Sequence, residues 1–274
     1  MELVIVSIAM ILYSVLGAIA ILLPIWGAFF FASLNRERLN FIHIYFFQSI
    51  LKKWDKKLNS MAEDEWVIMD YDSFLRVLNP LERALVKRLY SINPAELGFT
   101  GPFYSKEKPG RLVKLDSVEF KTSGKPRSSG VQYCPAHSYE DFKQMAEDYF
   151  NETGRKIFID SGYRSPGRQA YVFIRSLVRN NGYSLNKTAK WVAMPGFSEH
   201  GSPVNNAVDI SNEEGINGFS DDQVPEDFEK TPEYDWLRKN AINYNFYLSY
   251  PRDNEHGVGY EPWHWHWEKK GGEA

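Results

Sequence analysis

The chain has 274 residues, of which 43% are hydrophobic, 15% aromatic and 24% charged, with a formal net charge of −3. That composition excludes an intrinsically disordered chain, and without an overall basic footprint there is no ground for nucleic-acid binding. The one cysteine, Cys134, is read as structural; it excludes an intrachain disulfide framework and any multi-cysteine zinc or iron–sulfur site, so a metal would need His, Asp or Glu ligands.

From Leu3 to Asn35 no residue is charged. A helix of that length, at ~1.5 Å per residue, exceeds the ~30 Å hydrocarbon core, which fits one membrane span and not two. Trp26, Phe29, Phe30 and Phe31 gather near its end, as interfacial aromatics do. A buried core helix and a cleaved signal peptide are the alternatives. The length of the apolar run argues against the first, and the lack of a preceding Lys or Arg against the second. Residues 1–35 are therefore expected to be a transmembrane anchor in a lipid bilayer, with residues 3–35 in contact with lipid. Arg36, Arg38, Lys52, Lys53, Lys56 and Lys57 then outnumber Glu37 and Asp55, which makes a basic juxtamembrane neck. The positive-inside tendency would put the following body in the cytoplasm. Residues 41–51, FIHIYFFQSIL, fit either an interfacial helix gripping anionic headgroups or a helix packed on the body.

Further along, Asn79-Pro80 opens a helix, PLERALVKRLYSI, with Pro in its first turn. Residues 100–130 are rich in Gly, Pro, Ser and Lys and read as loops around one short strand, RLVKLDSVEF. Ser138 and Asp141 resemble a helix cap; Phe142, Met145, Ala146, Tyr149 and Phe150 follow at helical spacing, and Gly154 stops the helix. KIFID (156–160) reads as a strand. Ser165-Pro166 opens a helix to about Asn180, AVDI (207–210) is a strand, and Thr231-Pro232 opens a helix through Tyr244. FYLSY (246–250) and WHWHW (263–267) are the last strands. Helices mixed with short strands, without a regular strand–helix–strand rhythm, predict an α+β fold.

Four pieces carry potential chemistry: SGYRS (161–165), SEH (198–200), AVDIS (207–211) and EPWHWHW (261–267). His200, Asp209 and His264 make a His₂Asp set, the three-ligand pattern of a catalytic zinc with one position left for water. Glu261, three residues before His264, is placed to act as general base, and Arg164 is an always-charged fork suited to a substrate carboxylate or a developing oxyanion. His266 shares a strand face with His264 and is either an alternative ligand or a residue behind the ligands. Taken singly, each has an ordinary structural explanation: a capped histidine, a turn aspartate, an aromatic strand, a surface ion pair.

These pieces in this order resemble the VanY-type D-alanyl-D-alanine carboxypeptidases. That family belongs to the LAS group of zinc peptidases, alongside VanX-type dipeptidases and the hedgehog signalling domain. The resemblance covers roughly residues 130–268. Ser198, His200, Ala207 and Asp209 match the family's S-x-H-x-x-G-x-A-x-D, and Glu261, Trp263 and His264 match its E-x-W-H. The resemblance implies an α+β LAS-type peptidase domain, a small antiparallel sheet with flanking helices, behind the N-terminal transmembrane helix. It implies one Zn²⁺ on His200, Asp209 and His264, Glu261 as general base, and Arg164 stabilising the transition state or holding the peptide carboxylate. Ser161, Gln169 and Ser198, with Arg164, would line the substrate pocket. The family places Asp seven residues after His; here Asp209 lies nine after His200, so the longer loop either returns the carboxylate to the metal or marks a remodelled site.

The organisation expected is an anchor (1–35), a basic neck and mixed accessory region (36–130), a zinc peptidase domain (131–268) and a tail (269–274). The function expected is a membrane-anchored carboxypeptidase that trims peptidoglycan stem peptides ending in D-Ala. L,D-carboxypeptidase, D-Ala-D-Ala dipeptidase and a non-catalytic LAS-fold binding module are the alternatives. Such an enzyme meets its substrate outside the cytoplasm, so function sets the catalytic domain on the outer side of a bacterial cytoplasmic membrane, against the charge asymmetry.

Overall fold

The computed structural model describes residue 15 and residues 22–105, 110–120, 126–220 and 222–269. Most of the expected membrane span, residues 3–14 and 16–21, lies outside the described residues. Residues 22–31 are helical, and among the described residues no helix is long and apolar enough to cross a membrane. The uncharged run does not continue as helix to Asn35: Phe30 and Leu34 are buried against the body, and the Asn35 side chain accepts from the backbone of Glu37 and Arg38.

Of the two readings of residues 41–51, packing on the body prevails. Helix α1 (Phe41–Leu58) starts at Asn40, whose side chain accepts from His43 N, and buries Phe46, Phe47, Ile50, Leu51, Trp54 and Leu58. Short helices α2 (Glu63–Trp66) and α3 (Tyr71–Arg76) follow. Helix α4 (Pro80–Leu89) has the expected start, with Pro in its first turn and Asn79 and Glu82 forming a reciprocal capping box. After a 3₁₀ turn at Pro94–Leu97, the expected single strand over 111–120 divides into β1 (Leu112–Leu115) and β2 (Glu119–Phe120). β2 pairs with β3 (Arg127–Ser128), and β1 with β4 (Gln132–Pro135), both antiparallel.

Helix α5 (Ala136–Thr153) begins two residues before Ser138, which is therefore not a cap; its hydroxyl donates to Pro135 O from inside the first turn. Gly154 ends the helix with φ of 71°, as expected. Then come β5 (Ile157–Ser161), α6 (Pro166–Arg179) capped by Ser165, α7 (Leu185–Ala189), and β6 (Ala207–Asn212). The chain closes with α8 (Pro225–Glu229), α9 (Pro232–Asn240), β7 (Phe246–Leu248) and β8 (His264–Trp267). The helix expected through Tyr244 tightens to 3₁₀ at Ala241.

The main sheet is antiparallel, in the order β5-β6-β8-β7, which makes the fold α+β. Period-two alternation sorts its two faces. Val208, Ile210, Trp265 and Trp267 join Phe142, Met145 and Tyr149 of α5 in one core. Asp209 and His264 alternate with them and so belong to the other face. A second core joins Phe47, Ile50, Trp54 and Leu85 to Phe173, Ile174 and Leu177 of α6. Helix α6 is thus held by the N-terminal helices, and the two segments meet closely at its start. A Cβ on Gly167 would lie 2.5 Å from Met69 O and 2.6 Å from Asp70 O. The Ser165 hydroxyl also donates to Met69 O at 2.6 Å. Gly167→Ala forces this backbone apart and is expected to destabilise the fold by roughly 1–3 kcal/mol, read as a lower midpoint in denaturant unfolding.

Candidate metal centre

Strand register assembles the centre. β5 pairs with β6 so that Ser161 faces Asp209, and β6 pairs with β8 so that Asp209 faces His264. Ser161, Asp209 and His264 therefore form a row across three strands. His200 joins them from the 3₁₀ turn Glu199–Gly201, and Glu261 lies just before β8. One ligand atom each from His200, Asp209 and His264 lie within 4.8 Å of one another, and all three residues are buried. The longer loop between His200 and Asp209 is accommodated outside the cluster: Val204 is 64% exposed, and β6 resumes at Ala207 in register with β8.

The hydrogen bonds fix the donor atoms. His200 Nδ1–H donates to Gly162 O at 2.9 Å, which leaves Nε2 as a lone-pair acceptor facing Asp209. Burial, reinforced by Arg164, lowers the His200 pKa to about 4. His264 Nδ1 lies 2.8 Å from Asp209 Oδ1, and its Nε2 lies 2.8 Å from Glu199 Oε2. Burial disfavours charge on His264, but the two carboxylates outweigh it and raise the imidazole to about 10. Burial likewise opposes charge on Glu199, and the His264 contact nevertheless holds it down to about 2. Asp209 is held well below the ordinary carboxylate range by His200 and His264, against burial.

Glu261 behaves in the opposite way. Burial, with Asp209 and Glu199 adding repulsion, pushes it up to about 8 against the attraction of His264 and Arg164. Its Oε2 is 3.8 Å from His264 Nδ1. Arg164 lies over the ligand atoms: Nη2 donates to His200 Nε2 at 2.7 Å and to Asp209 Oδ2 at 2.9 Å. Ser161 and Gln169 brace it, accepting from Nε at 3.1 Å and Nη1 at 3.5 Å. The Gln169 amide also donates to Ala193 O, so in this structure Gln169 positions Arg164 as well as lining the cleft. Ser198 lines the same cavity of about 520 Å³, together with Ser161, Arg164, Gln169 and the triad. His266 does not join the cluster; its Nδ1 bonds Ser249 Oγ at 2.8 Å and its ring stacks on Tyr247.

Two contributors escape the motif reading. Glu199 backs His264 from inside the SEH segment, where a carboxylate beside the first ligand was the available signal. Tyr104 donates to Glu199 Oε1 at 2.9 Å from a stretch that reads only as loop, and nothing local marks it.

The donor set suits a divalent ion: two imidazoles and a carboxylate with converging atoms, one tautomer fixed by Gly162 and the other ring backed by Glu199. Taken with the α+β fold, this defines a protein with a buried His–Asp–His cluster, suited to one divalent ion, in a cleft of about 520 Å³. A model of the D-alanyl-D-alanine carboxypeptidase family, VanY, matches residues 132–270, and the chain belongs to that family. YodJ of Bacillus subtilis (strain 168), provisionally named a carboxypeptidase, is 33% identical over 162 residues, covering 57% of this chain and 53% of that protein. The bifunctional D-Ala-D-Ala dipeptidase and carboxypeptidase VanXYC of Enterococcus gallinarum is 33% identical over 113 residues, covering 40% and 55%. The chain thus spans about half the length of the curated relatives it matches. Among solved structures, the LD-carboxypeptidase LdcB aligns with a TM-score of 0.45 and 30% identity, over 60% of this chain and 71% of that one.

Removing the carboxylate behind His264 tests this wiring. Glu199→Ala is expected to weaken binding of a divalent ion roughly 10- to 100-fold, measured by chelator competition. Tyr104→Phe is expected to shift it in the same direction by less.

Proposed function

We propose that the chain is a zinc-dependent carboxypeptidase that removes the terminal D-Ala from peptidoglycan stem peptides. One observation carries the reading: a buried His200–Asp209–His264 cluster shares a single cleft with a raised-pKa carboxyl, Glu261, and a guanidinium, Arg164. The family supplies the class of substrate.

His200 Nε2, Asp209 and His264 Nδ1 would hold the zinc. The ion would supply Lewis acidity, making water nucleophilic near neutral pH. Glu261 takes the proton from the attacking water and returns it to the departing amine of D-Ala. Burial raises its affinity for that proton towards the working pH, which suits both halves of the transfer. Arg164, braced by Ser161 and Gln169, faces the negative charge that develops on the peptide oxygen. Glu199 and Tyr104 keep the His264 ring oriented.

A stem peptide fits the cleft better than a free dipeptide does. The cavity continues from the triad along α6 to Val172 and Ser176. At ~1.5 Å per helical residue, Arg168 to Ser176 is a run of about 12 Å, longer than a dipeptide needs. Within this reading residues 131–268 carry the peptidase, and residues 36–130 support one side of its cleft.

The chain is also proposed to be anchored to a bacterial membrane through residues 3–35, with the cleft on the outer side. The uncharged run supports this, as do Leu22, Leu23, Phe31, Phe41 and Tyr45, each at least 62% exposed near the basic neck.

Incubating the purified chain with pentapeptide and tetrapeptide stems is expected to release D-Ala from one of them; release from neither contradicts the proposal. Glu261→Gln is expected to retain zinc while losing roughly 10²–10⁴ in kcat. His264→Ala is expected to lose zinc and activity together. Elemental analysis beside the assay separates the two cases.

A further inference from the structure

Besides Arg164, the cleft is lined by Arg168 and Arg175, and Arg168, the nearer to Arg164 in sequence, is left without an anionic partner among the described residues. Arg168 is the third residue of α6, four positions after Arg164, and it lines the same cavity as the triad. Among the described residues no carboxylate comes within ion-pair distance of it. Its polar contact is Gln132 Oε1, at a long 3.4 Å, and its guanidinium carbon lies 5.3 Å from the centroid of the Trp66 ring. Glu63 and Asp209 act on it only through space, while burial and Arg164 both oppose its charge.

Its place on the helix adds to the imbalance. The first turn of α6 contains no acidic residue, and the amino end of a helix already carries positive partial charge. A cation there is in an unfavourable position unless something else compensates it. Arg164 cannot share its own partners, because Asp209, His200, Ser161 and Gln169 already occupy it. A largely buried guanidinium over the face of an indole, at a helix amino end and lining the cleft, is built to receive a carboxylate.

We propose that Arg168 is a substrate-binding residue that pairs with a carboxylate of the bound peptide. The proposal rests on reading the cleft as a stem-peptide site. Such a peptide offers that chemistry from two sources: its C-terminal carboxylate, or an acidic group upstream of the scissile bond. Because the second source varies between peptides, Arg168 would then set preference among stems rather than the rate of bond cleavage.

The test uses the zinc-loaded full chain carrying Glu261→Gln, which blocks turnover, with and without Arg168→Met. Methionine keeps an unbranched apolar stem against Trp66 and removes the charge; Arg168→Lys restores charge without the fork. Calorimetry gives the Kd of a D-Ala-terminated peptide with an upstream acidic residue, and of its forms amidated at the C-terminus, upstream, or at both. With Arg168 present, one amidation is expected to weaken binding by roughly tenfold or more. Arg168→Met should abolish that difference, and Arg168→Lys should restore part of it. The amidation that matters identifies the carboxylate. If Arg168→Met leaves every Kd within about twofold, weakens all forms equally, or if no form binds, the proposal is overturned. A merely structural role would lower the unfolding midpoint without touching the acid-against-amide difference. Failure of the chain with Glu261 intact to hydrolyse these peptides would defeat the carboxypeptidase reading, while the binding comparison still decides Arg168.

Discussion

The register of three antiparallel strands is the constraint on which the centre depends. Ser161 faces Asp209 and Asp209 faces His264 only because β5, β6 and β8 pair as they do. A slip of one residue would turn Asp209 and His264 into the apolar core and bring Val208 or Trp265 to the cleft. The tryptophans and aliphatic residues on the other face oppose that slip, since Val208, Ile210, Trp265 and Trp267 are all buried there. The hydrophobic core and the polar cluster are thus two consequences of one alternation, and the core enforces the geometry that the ligands need.

A second constraint comes from the N-terminal helices. They share a core with α6, close against its first turn at Gly167 and set Trp66 beside Arg168, and the loop that follows them brings Tyr104 to Glu199. Charge is organised around this wall. His264 sits between two carboxylates, Arg164 is fully engaged, and Glu261 is pushed the other way by burial. The carboxyls around His264 are thus shifted in opposite directions, Glu261 up by burial and Glu199 and Asp209 down by their histidine contacts.

Much of the centre was legible in the sequence because its residues sit in short local motifs: SEH on a 3₁₀ turn, AVDIS within β6 and EPWHW leading into β8. The α+β class, the Asn79-Pro80 helix start, the Ser165 start of α6 and the Gly154 stop were legible for the same reason. The misses were non-local. Tyr104 meets the cleft through packing between distant segments, and the apolar stretch 41–51 reads equally well as a membrane face or a core face until its partner is known. Ser138 misled because its hydroxyl satisfies Pro135 O inside the helix rather than capping it. The extra residues between His200 and Asp209 looked able to displace the aspartate, yet a surface loop absorbs them and the strand register restores its place.

The most direct test of the account is the zinc content of the purified chain beside Asp209→Ala, measured by elemental analysis. One zinc per chain, lost in the variant, is the expected result, because the β6–β8 register makes Asp209 the shared partner of both histidines. Zinc retained by Asp209→Ala, or absent from the unaltered chain, would contradict it.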